Sequence, residues 1–213
     1  MSKSYQVLVV GGGAAGLATA ASLKKRDRSL EVAVVEPSDK HYYQPGWTMV
    51  GAGVFTKEDT IKDTDSIWPS DVIRIKDEVI KFDPKNNKVT LGNKTEVGYE
   101  MLVVASGLKL DWEAIEGLSE SLGENGVTSN YRYDLAPYTW ELVQEMNGKN
   151  AIFTQPPMPI KCAGAPQKAM YLSCDHWQKS GQLEGMNVSF CNAGPVLFGC
   201  ATYVPPLMKY VEK

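Results

Sequence analysis

The stretch Val7-Leu8-Val9-Val10-Gly11-Gly12-Gly13-Ala14-Ala15-Gly16 decides the fold of this chain. Its first four residues form an apolar, β-branched run that is typical of a buried parallel strand. Three glycines in the pattern G-x-G-x-x-G follow at once, and the Ala-rich segment Leu17 to Lys25 predicts a helix. Gly11 permits a tight turn, Gly13 lets a ligand approach the backbone, and Gly16 lets helix and strand pack closely. The free N–H groups at the start of the helix then favour a bound phosphate.

A second apolar strand, Val32 to Val35, ends in the acidic residue Glu36. This carboxylate follows Gly16 at about the 20-residue spacing at which an acid binds the hydroxyls of a ribose. A βαβ unit that binds a dinucleotide has these features in this order: a strand, the glycines, a helix, a second strand and an acidic residue. We therefore predict an α/β protein with a Rossmann-like domain. An ordinary βαβ turn that binds nothing is the alternative interpretation of the same pattern.

The next part of the chain predicts antiparallel strands. Val72 to Phe82 predicts a strand, Asp83 to Asn87 a turn, and Lys88 to Leu91 a return strand. Tyr99 to Gly107 predicts a buried strand that ends in small residues. We interpret these segments as a β-meander insertion and a strand that returns to the parallel sheet, and we assign residues 1–110 to this domain.

A second α/β unit begins further along. We predict a connecting segment over residues 111–148 and an incomplete second Rossmann-like domain over residues 149–213. Its expected elements are two strands, Ala151 to Thr154 and Asn187 to Cys191, and a helix from Pro166 to about Gln178. A doubly wound half has four or more strands, so we expect that this unit is truncated and that the polypeptide is a fragment.

Composition excludes several classes of function. The net charge of the 213 residues is −3 and there is no basic tract, so we predict no nucleic-acid partner. No apolar run is long enough for a transmembrane segment. The spacings of the four cysteines match no zinc pattern, and we predict no metal site. One or two reactive thiols are the expectation instead.

The strand end Ala105-Ser106-Gly107 narrows the choice of cofactor. It resembles the Ala-Thr-Gly segment of flavoproteins with two dinucleotide-binding domains, in which small residues let the strand end lie against FAD. The alternative is a buried strand that ends in a turn. Together with the glycine pattern, this resemblance predicts FAD.

Three segments carry a more specific resemblance: His41 to Thr48, Val50 to Gly53 and Pro159 to Lys168. They resemble sulfide:quinone oxidoreductases, in the branch that includes the mitochondrial enzymes, and the similarity runs over essentially the whole chain. The resemblance implies a flavoprotein that binds FAD, oxidises sulfide to a cysteine-bound persulfide and passes two electrons to quinone. It implies sulfide, quinone and a small thiol sulfur acceptor as partners. It also implies a peripheral position on a bacterial or mitochondrial inner membrane, through a C-terminal region.

The resemblance assigns roles residue by residue. Cys162 would be the first redox cysteine and the catalytic residue. The FAD contacts would be Gly11, Gly13, Ala14, Ala15, Gly16, Glu36, Gln44 and Val79, with Ala105, Ser106 and Gly107 from the strand end. In this family a second redox cysteine and the quinone site lie further downstream, so we expect that this chain alone is catalytically incomplete.

The surroundings of Cys162 support its role independently. It precedes a predicted helix and lies beside Lys161 and six residues before Lys168. A cation and a helix N-terminus both favour the thiolate form, which is the nucleophile. The sequence leaves open whether Cys162 lies next to the flavin or carries the persulfide. A buried, inert cysteine is the alternative.

Two other functions compete with sulfide oxidation. A type II NADH:quinone oxidoreductase, or another flavoprotein with two dinucleotide-binding domains, would have a second G-x-G-x-x-G after the strand Ala151 to Thr154. Gln155-Pro156-Pro157-Met158-Pro159 stands there instead and cannot wrap a diphosphate in the same way. The third hypothesis is a catalytically incomplete FAD-binding fragment. It predicts no turnover and no effect of Cys162→Ser.

Overall fold

A computed structural model of the protein describes residues 3–147 and 150–212. These residues form two compact units. Unit 1 comprises residues 3–43 and 61–110, and unit 2 comprises residues 44–60 together with the described residues after 110. Residues 44–60 therefore group with unit 2, although they lie within the predicted first domain, residues 1–110. The predicted boundary between residues 148 and 149 lies outside the described residues.

Unit 1 is an α/β unit, as the sequence predicts. Its helix is α1 (Ala14–Arg26), and its strands are β1 (Lys3–Val10), β2 (Val32–Val35), β3 (Lys40–Tyr42), β4 (Ile61–Asp63), β5 (Ile73–Ile75), β6 (Val79–Asp83), β7 (Lys88–Leu91) and β8 (Glu96–Val104). Six of the strands in this described part form a mixed sheet in the order β5-β2-β1-β8-β7-β6. β1 pairs in parallel with β2 and β8, while β6, β7 and β8 form an antiparallel meander.

Apolar side chains fill both faces of the central strands. Leu8 packs on one face with Ala33 and Val89, and all three are fully buried. Val9 packs on the opposite face with Ala20 of α1. Burial on both faces explains why the central strands read as continuous apolar runs rather than as alternating ones.

The segment predicted as one strand, Val72 to Phe82, is two strands at opposite edges of the sheet. The chain turns at Asp77, whose carboxylate accepts backbone N–H hydrogen bonds from Glu78 (2.7 Å) and Gly92 (3.1 Å). The link from Ile75 to Val79 spans at most about 15 Å. In a flat sheet the edge strands would be about 24 Å apart. The sheet must therefore curl around the core that contains Leu8.

Unit 2 contains a second βαβ arrangement. Its elements are α2 (Trp47–Val50), α3 (Leu118–Ser121), α4 (Ala136–Glu145), β9 (Asn150–Gln155), α5 (Gly164–Lys179), β10 (Asn187–Asn192) and α6 (Val204–Val211). β9 and β10 pair in parallel, and in the described residues their sheet has two strands. Trp177 of α5 is 1% exposed and donates a hydrogen bond from Nε1 to the Val143 carbonyl oxygen of α4 (2.8 Å). This contact holds α4 and α5 together.

Both strands and the long helix of unit 2 were expected. The helix begins at Gly164, two residues before Pro166, which therefore lies in the first turn, where a missing N–H costs little. No helix in the described ranges is both long and apolar enough to cross a bilayer.

Candidate functional site

The glycine turn between β1 and α1 is packed so tightly that a side chain at two of its glycines would collide with backbone atoms. Gly11 has φ +100°, and a Cβ built there would lie 2.4 Å from the Ala105 carbonyl oxygen. A Cβ on Gly16 would lie 1.8 Å from the Gly11 carbonyl oxygen. A Cβ on Gly13 would meet nothing within 4 Å in the described structure. Gly11 and Gly16 thus shape the turn, and Gly13 leaves an open face in front of α1.

Glu36 joins the end of β2 to this turn. Its Oε2 accepts a hydrogen bond from the Gly12 backbone N–H (2.7 Å), and its Oε1 accepts one from the Ser38 N–H (2.8 Å). Gly12 must remain without a side chain, because its Cβ would lie 2.7 Å from the Glu36 Cβ. Sequence reasoning missed this role of Gly12, although the run of three glycines was the available signal. The carboxylate retains lone pairs that can accept ribose hydroxyls.

The Ala-Ser-Gly segment lies against the same turn. The Ala105 N–H donates to the Val10 carbonyl oxygen (2.8 Å), and the Ser106 Cα lies 2.9 Å from the position of a Gly11 Cβ. Gly107 has φ +76°, a conformation that favours glycine. The turn after β1, the end of β2 and the end of β8 therefore lie together at the carboxyl edge of the parallel strands, where such sheets bind ligands.

This edge fits a dinucleotide. Ala14 and Ala15 begin α1, so their backbone N–H groups lie at the helix N-terminus behind the open face of Gly13. Glu36 lies next to the same turn, within reach of a ribose bound there. We infer that the backbone from Gly11 to Gly16, together with Glu36, would hold the diphosphate and ribose of such a cofactor.

Two predicted cofactor contacts are not brought to this edge by any described contact. Val79 packs against the core cluster that contains Leu8. Gln44 belongs to unit 2, where its buried Oε1 has no hydrogen-bond partner among the described residues. Contacts of Val79 and Gln44 with FAD stay predictions.

We predict that Glu36→Gln lowers both stability and flavin affinity. The amide of glutamine presents an N–H group to one of the two backbone N–H donors, so one charge-assisted hydrogen bond is lost. The expected loss is about 2 kcal/mol in the free energy of unfolding, measured by urea denaturation. Glu31→Gln, at the exposed residue before β2, is the control and should change neither quantity. Equal effects of the two substitutions would contradict the assigned role.

Cys162 lies in the crossover between β9 and α5, two residues before the helix starts. Its side chain is exposed, and its carbonyl oxygen accepts a hydrogen bond from the Ala165 N–H (3.4 Å). Tyr131 is close enough to interact electrostatically with Cys162. Burial of Tyr131, and secondarily the charge on Cys162, raise the pKa of this phenol, which therefore stays protonated. The thiol thus has a neutral hydroxyl group in its surroundings.

The other three cysteines differ in accessibility. Cys191 and Cys200 are exposed, whereas Cys174 lies half-buried in α5, where burial raises the pKa of its thiol. No disulfide bond joins any two of the described cysteines, and the described residues contain no cluster of three or more His, Cys, Asp or Glu side chains able to hold a metal ion.

Cys174 should therefore be the slowest cysteine to alkylate. A raised thiol pKa lowers the thiolate fraction near neutral pH, so its rate should climb at a more alkaline pH than that of an ordinary thiol. Iodoacetamide labelling at a series of pH values, with each cysteine followed by peptide mass spectrometry, measures this. Labelling of Cys174 as fast as Cys191 at neutral pH would contradict the prediction.

Comparison with known proteins identifies the class. Residues 5–141 match the family model described as "Pyridine nucleotide-disulphide oxidoreductase". The chain belongs to the pyridine nucleotide-disulphide oxidoreductase family, which implies a flavin cofactor.

More specific relatives cover nearly the whole chain. It is 41% identical over 209 residues to the mitochondrial sulfide:quinone oxidoreductase of Dictyostelium discoideum, covering 97% of this chain and 45% of the relative. It is 40% identical to the enzyme of that name from Mus musculus, covering 98% of this chain and 46% of the relative. The resemblance predicted from sequence is confirmed. The chain spans about half the length of these relatives.

A solved structure agrees in fold. The sulfide:quinone oxidoreductase of the hyperthermophilic bacterium Aquifex aeolicus superposes with a TM-score of 0.79 and 22% sequence identity, over 99% of this chain and 49% of that one. At this identity the match shows the fold alone, and it confirms the predicted α/β architecture.

Proposed function

We propose that this chain supplies the FAD site and one redox cysteine of a sulfide:quinone oxidoreductase. The observation that carries the proposal is the similarity to relatives of that name over 97% or more of the chain, which includes the loop of Cys162. The dinucleotide-shaped edge of unit 1 and the exposed thiol of unit 2 supply the two chemical parts that such a reaction requires.

The cofactor in this proposal is FAD. The backbone of Gly11, Gly13, Ala14, Ala15 and Gly16 would hold the diphosphate, and Glu36 the ribose. Ala105, Ser106 and Gly107 would allow a close approach of the strand end, and Gln44 and Val79 would add further contacts. When bound, FAD would supply a two-electron acceptor that quinone can reoxidise.

Cys162 would perform the sulfur chemistry. In its oxidised form it shares a disulfide with a second cysteine, which we do not assign to any residue of this chain. Hydrosulfide attacks one sulfur, the disulfide bond breaks, a persulfide forms on the attacked cysteine, and the other cysteine leaves as thiolate. The proton of hydrosulfide passes to solvent. Whether Cys162 carries the persulfide or is the departing thiolate stays open.

The remaining partners follow from the same proposal. A small thiol would accept the sulfane sulfur. Quinone dissolves in the bilayer, so the active protein would sit peripherally on a bacterial or mitochondrial inner membrane. This proposal involves neither nucleic acid nor metal.

A second candidate is an NADH-dependent quinone reductase. The Staphylococcus saprophyticus relative named type II NADH:quinone oxidoreductase is 31% identical over 54% of this chain and 29% of its own length. The glycine turn and Glu36 suit both activities. The loop that follows β9 favours sulfide oxidation, because it begins Pro156-Pro157-Met158 and holds no second glycine fingerprint.

An anaerobic visible-absorption titration separates these candidates. It uses purified, FAD-loaded protein in which this chain is carried by a polypeptide that also contains the second redox cysteine. Bleaching of the oxidised-flavin band by sulfide, without NADH, is the result expected. Bleaching by NADH but not by sulfide would favour the second candidate. Failure of the chain to retain any flavin would overturn the proposed FAD site in this chain.

A further inference from the structure

Phe198 has a backbone conformation that residues with side chains rarely adopt. Its φ is +63°, and it precedes Gly199 at φ +73° in the loop after β10. The Gly199 N–H donates to the Leu197 carbonyl oxygen (2.8 Å), which closes a tight turn with Phe198 at its centre. Glycine would fit this turn without strain. A phenylalanine here therefore needs a contact that favours its ring.

The contact is with the start of α5. The Phe198 Cε2 lies 3.3 Å from the position of a Cβ on Gly164, and the Cys162 Sγ lies 3.8 Å from the same point. The ring edge and the sulfur are therefore no more than about 7 Å apart, near the range of sulfur–aromatic contacts. Absence of a side chain at Gly164 leaves this gap open.

A second aromatic ring fixes the orientation of the first. Tyr203, just before α6, packs edge-on against Phe198, with ring centroids 5.9 Å apart and an interplanar angle of 76°. Phe198 nonetheless remains 41% exposed, so burial in a hydrophobic core does not explain its position. The loop after β10 thus holds an aromatic ring in the neighbourhood of the thiol.

We propose that Phe198 is a specificity-determining residue beside Cys162. Its ring covers one approach to the Sγ, so that compact sulfur species reach the thiol more readily than bulky ones. The proposal rests on the proposed function only where it treats Cys162 as the reacting sulfur. The shielding itself requires no cofactor.

Thiol labelling tests the shield directly. In a Cys191→Ser, Cys200→Ser background, the rate constant at Cys162 is measured with a small reagent, methyl methanethiosulfonate, and with a bulky one, N-(1-pyrenyl)maleimide. Phe198→Ala should raise the bulky-reagent rate about fivefold and leave the small-reagent rate within about twofold. Gly164→Ala should act in the opposite sense, because its methyl group fills the gap between the ring and the sulfur.

Two further variants keep the result interpretable. Phe198→Gly removes the ring and also relieves the strain of the turn. Its labelling rates should therefore match those of Phe198→Ala, and its melting temperature should be higher than that of Phe198→Ala. Val196→Ala, also in the exposed part of this loop, should change neither rate. An unchanged ratio of the two rates in Phe198→Ala, or an equal rise in both, would overturn the proposal.

The outcome is separable from that of the proposed function. The labelling ratio can change in a protein that sulfide fails to reduce, in which case Phe198 shields a thiol with another role. Conversely, sulfide can bleach the flavin of a protein in which Phe198→Ala leaves the ratio of the two labelling rates unchanged. In that case the proposed role of Phe198 is contradicted and the proposed function is not.

Discussion

Gly16→Ala should lose its flavin and unfold at markedly lower urea than the parent protein. The added Cβ would lie 1.8 Å from the Gly11 carbonyl oxygen, which is backbone and cannot rotate away. Relief requires α1 to move off β1, and that movement opens contacts such as that between Ala20 and Val9. The expected cost is about 3 kcal/mol in the free energy of unfolding. Urea denaturation and the ratio of flavin to protein absorbance measure the two effects.

Gly13→Ala is the matched control for this substitution. Its added Cβ would meet nothing within 4 Å among the described residues, and the Gly13 φ of −72° suits alanine. Stability should therefore be retained, whereas flavin binding should weaken, since the methyl group occupies the face that a diphosphate would approach. Equal unfolding midpoints for the two variants would contradict the packing argument, and unimpaired flavin binding by Gly13→Ala would contradict the proposed site.

In a polypeptide that carries this chain together with the second redox cysteine, Cys162→Ser should abolish bleaching of the flavin by sulfide while leaving the bound flavin in place. A serine hydroxyl forms no disulfide and accepts no sulfane sulfur, so the proposed route from sulfide to the cofactor ends. The rate should fall by a factor of about 10³ or more. Stopped-flow absorbance at the oxidised-flavin band, under anaerobic conditions, measures it.

Cys200→Ser provides the comparison for Cys162→Ser. Cys200 is also exposed and also lies in unit 2, so the two substitutions change the same atom in similar solvent exposure. Cys200→Ser should leave the bleaching rate unchanged. Persistence of rapid bleaching in Cys162→Ser would remove Cys162 from the reaction, and loss in both variants would show that a single cysteine does not account for it.

The part of the site that could be predicted from sequence is the local part. The glycine turn is confined to residues 11–16, and the constraint of Gly16 against the Gly11 carbonyl oxygen acts within it, so the spacing of the glycines reveals that constraint. The position of Glu36 is likewise fixed by the length of one helix and one strand. The Glu36 carboxylate and the Gly12 N–H that it binds lie 24 residues apart in the sequence. The only indication of this hydrogen bond in the sequence is the extra glycine at position 12.

The features that could not be predicted depend on distant contacts. A partial apolar alternation runs through Val72 to Phe82. The chain nonetheless turns at Asp77, whose N–H donates to the Ile75 carbonyl oxygen and whose carboxylate accepts backbone N–H hydrogen bonds from Glu78 and Gly92. The position of Phe198 near Cys162 depends on how two loops meet at the ends of β9 and β10. Neither hydrophobic periodicity nor turn propensity carries that information.

The membership of residues 44–60 in unit 2 affects how the protein is made. Thr48 and Val50 of α2 are buried in the folded protein, where α2 packs against α4 and α5. A ribosome that adds about 5 to 20 residues per second needs roughly 6 to 24 seconds to proceed from residue 60 to the end of α5. During this interval an apolar segment has left the ribosome before the helices that will cover it exist. The nascent chain therefore exposes apolar surface, which favours aggregation, after unit 1 begins to fold and before α5 is complete.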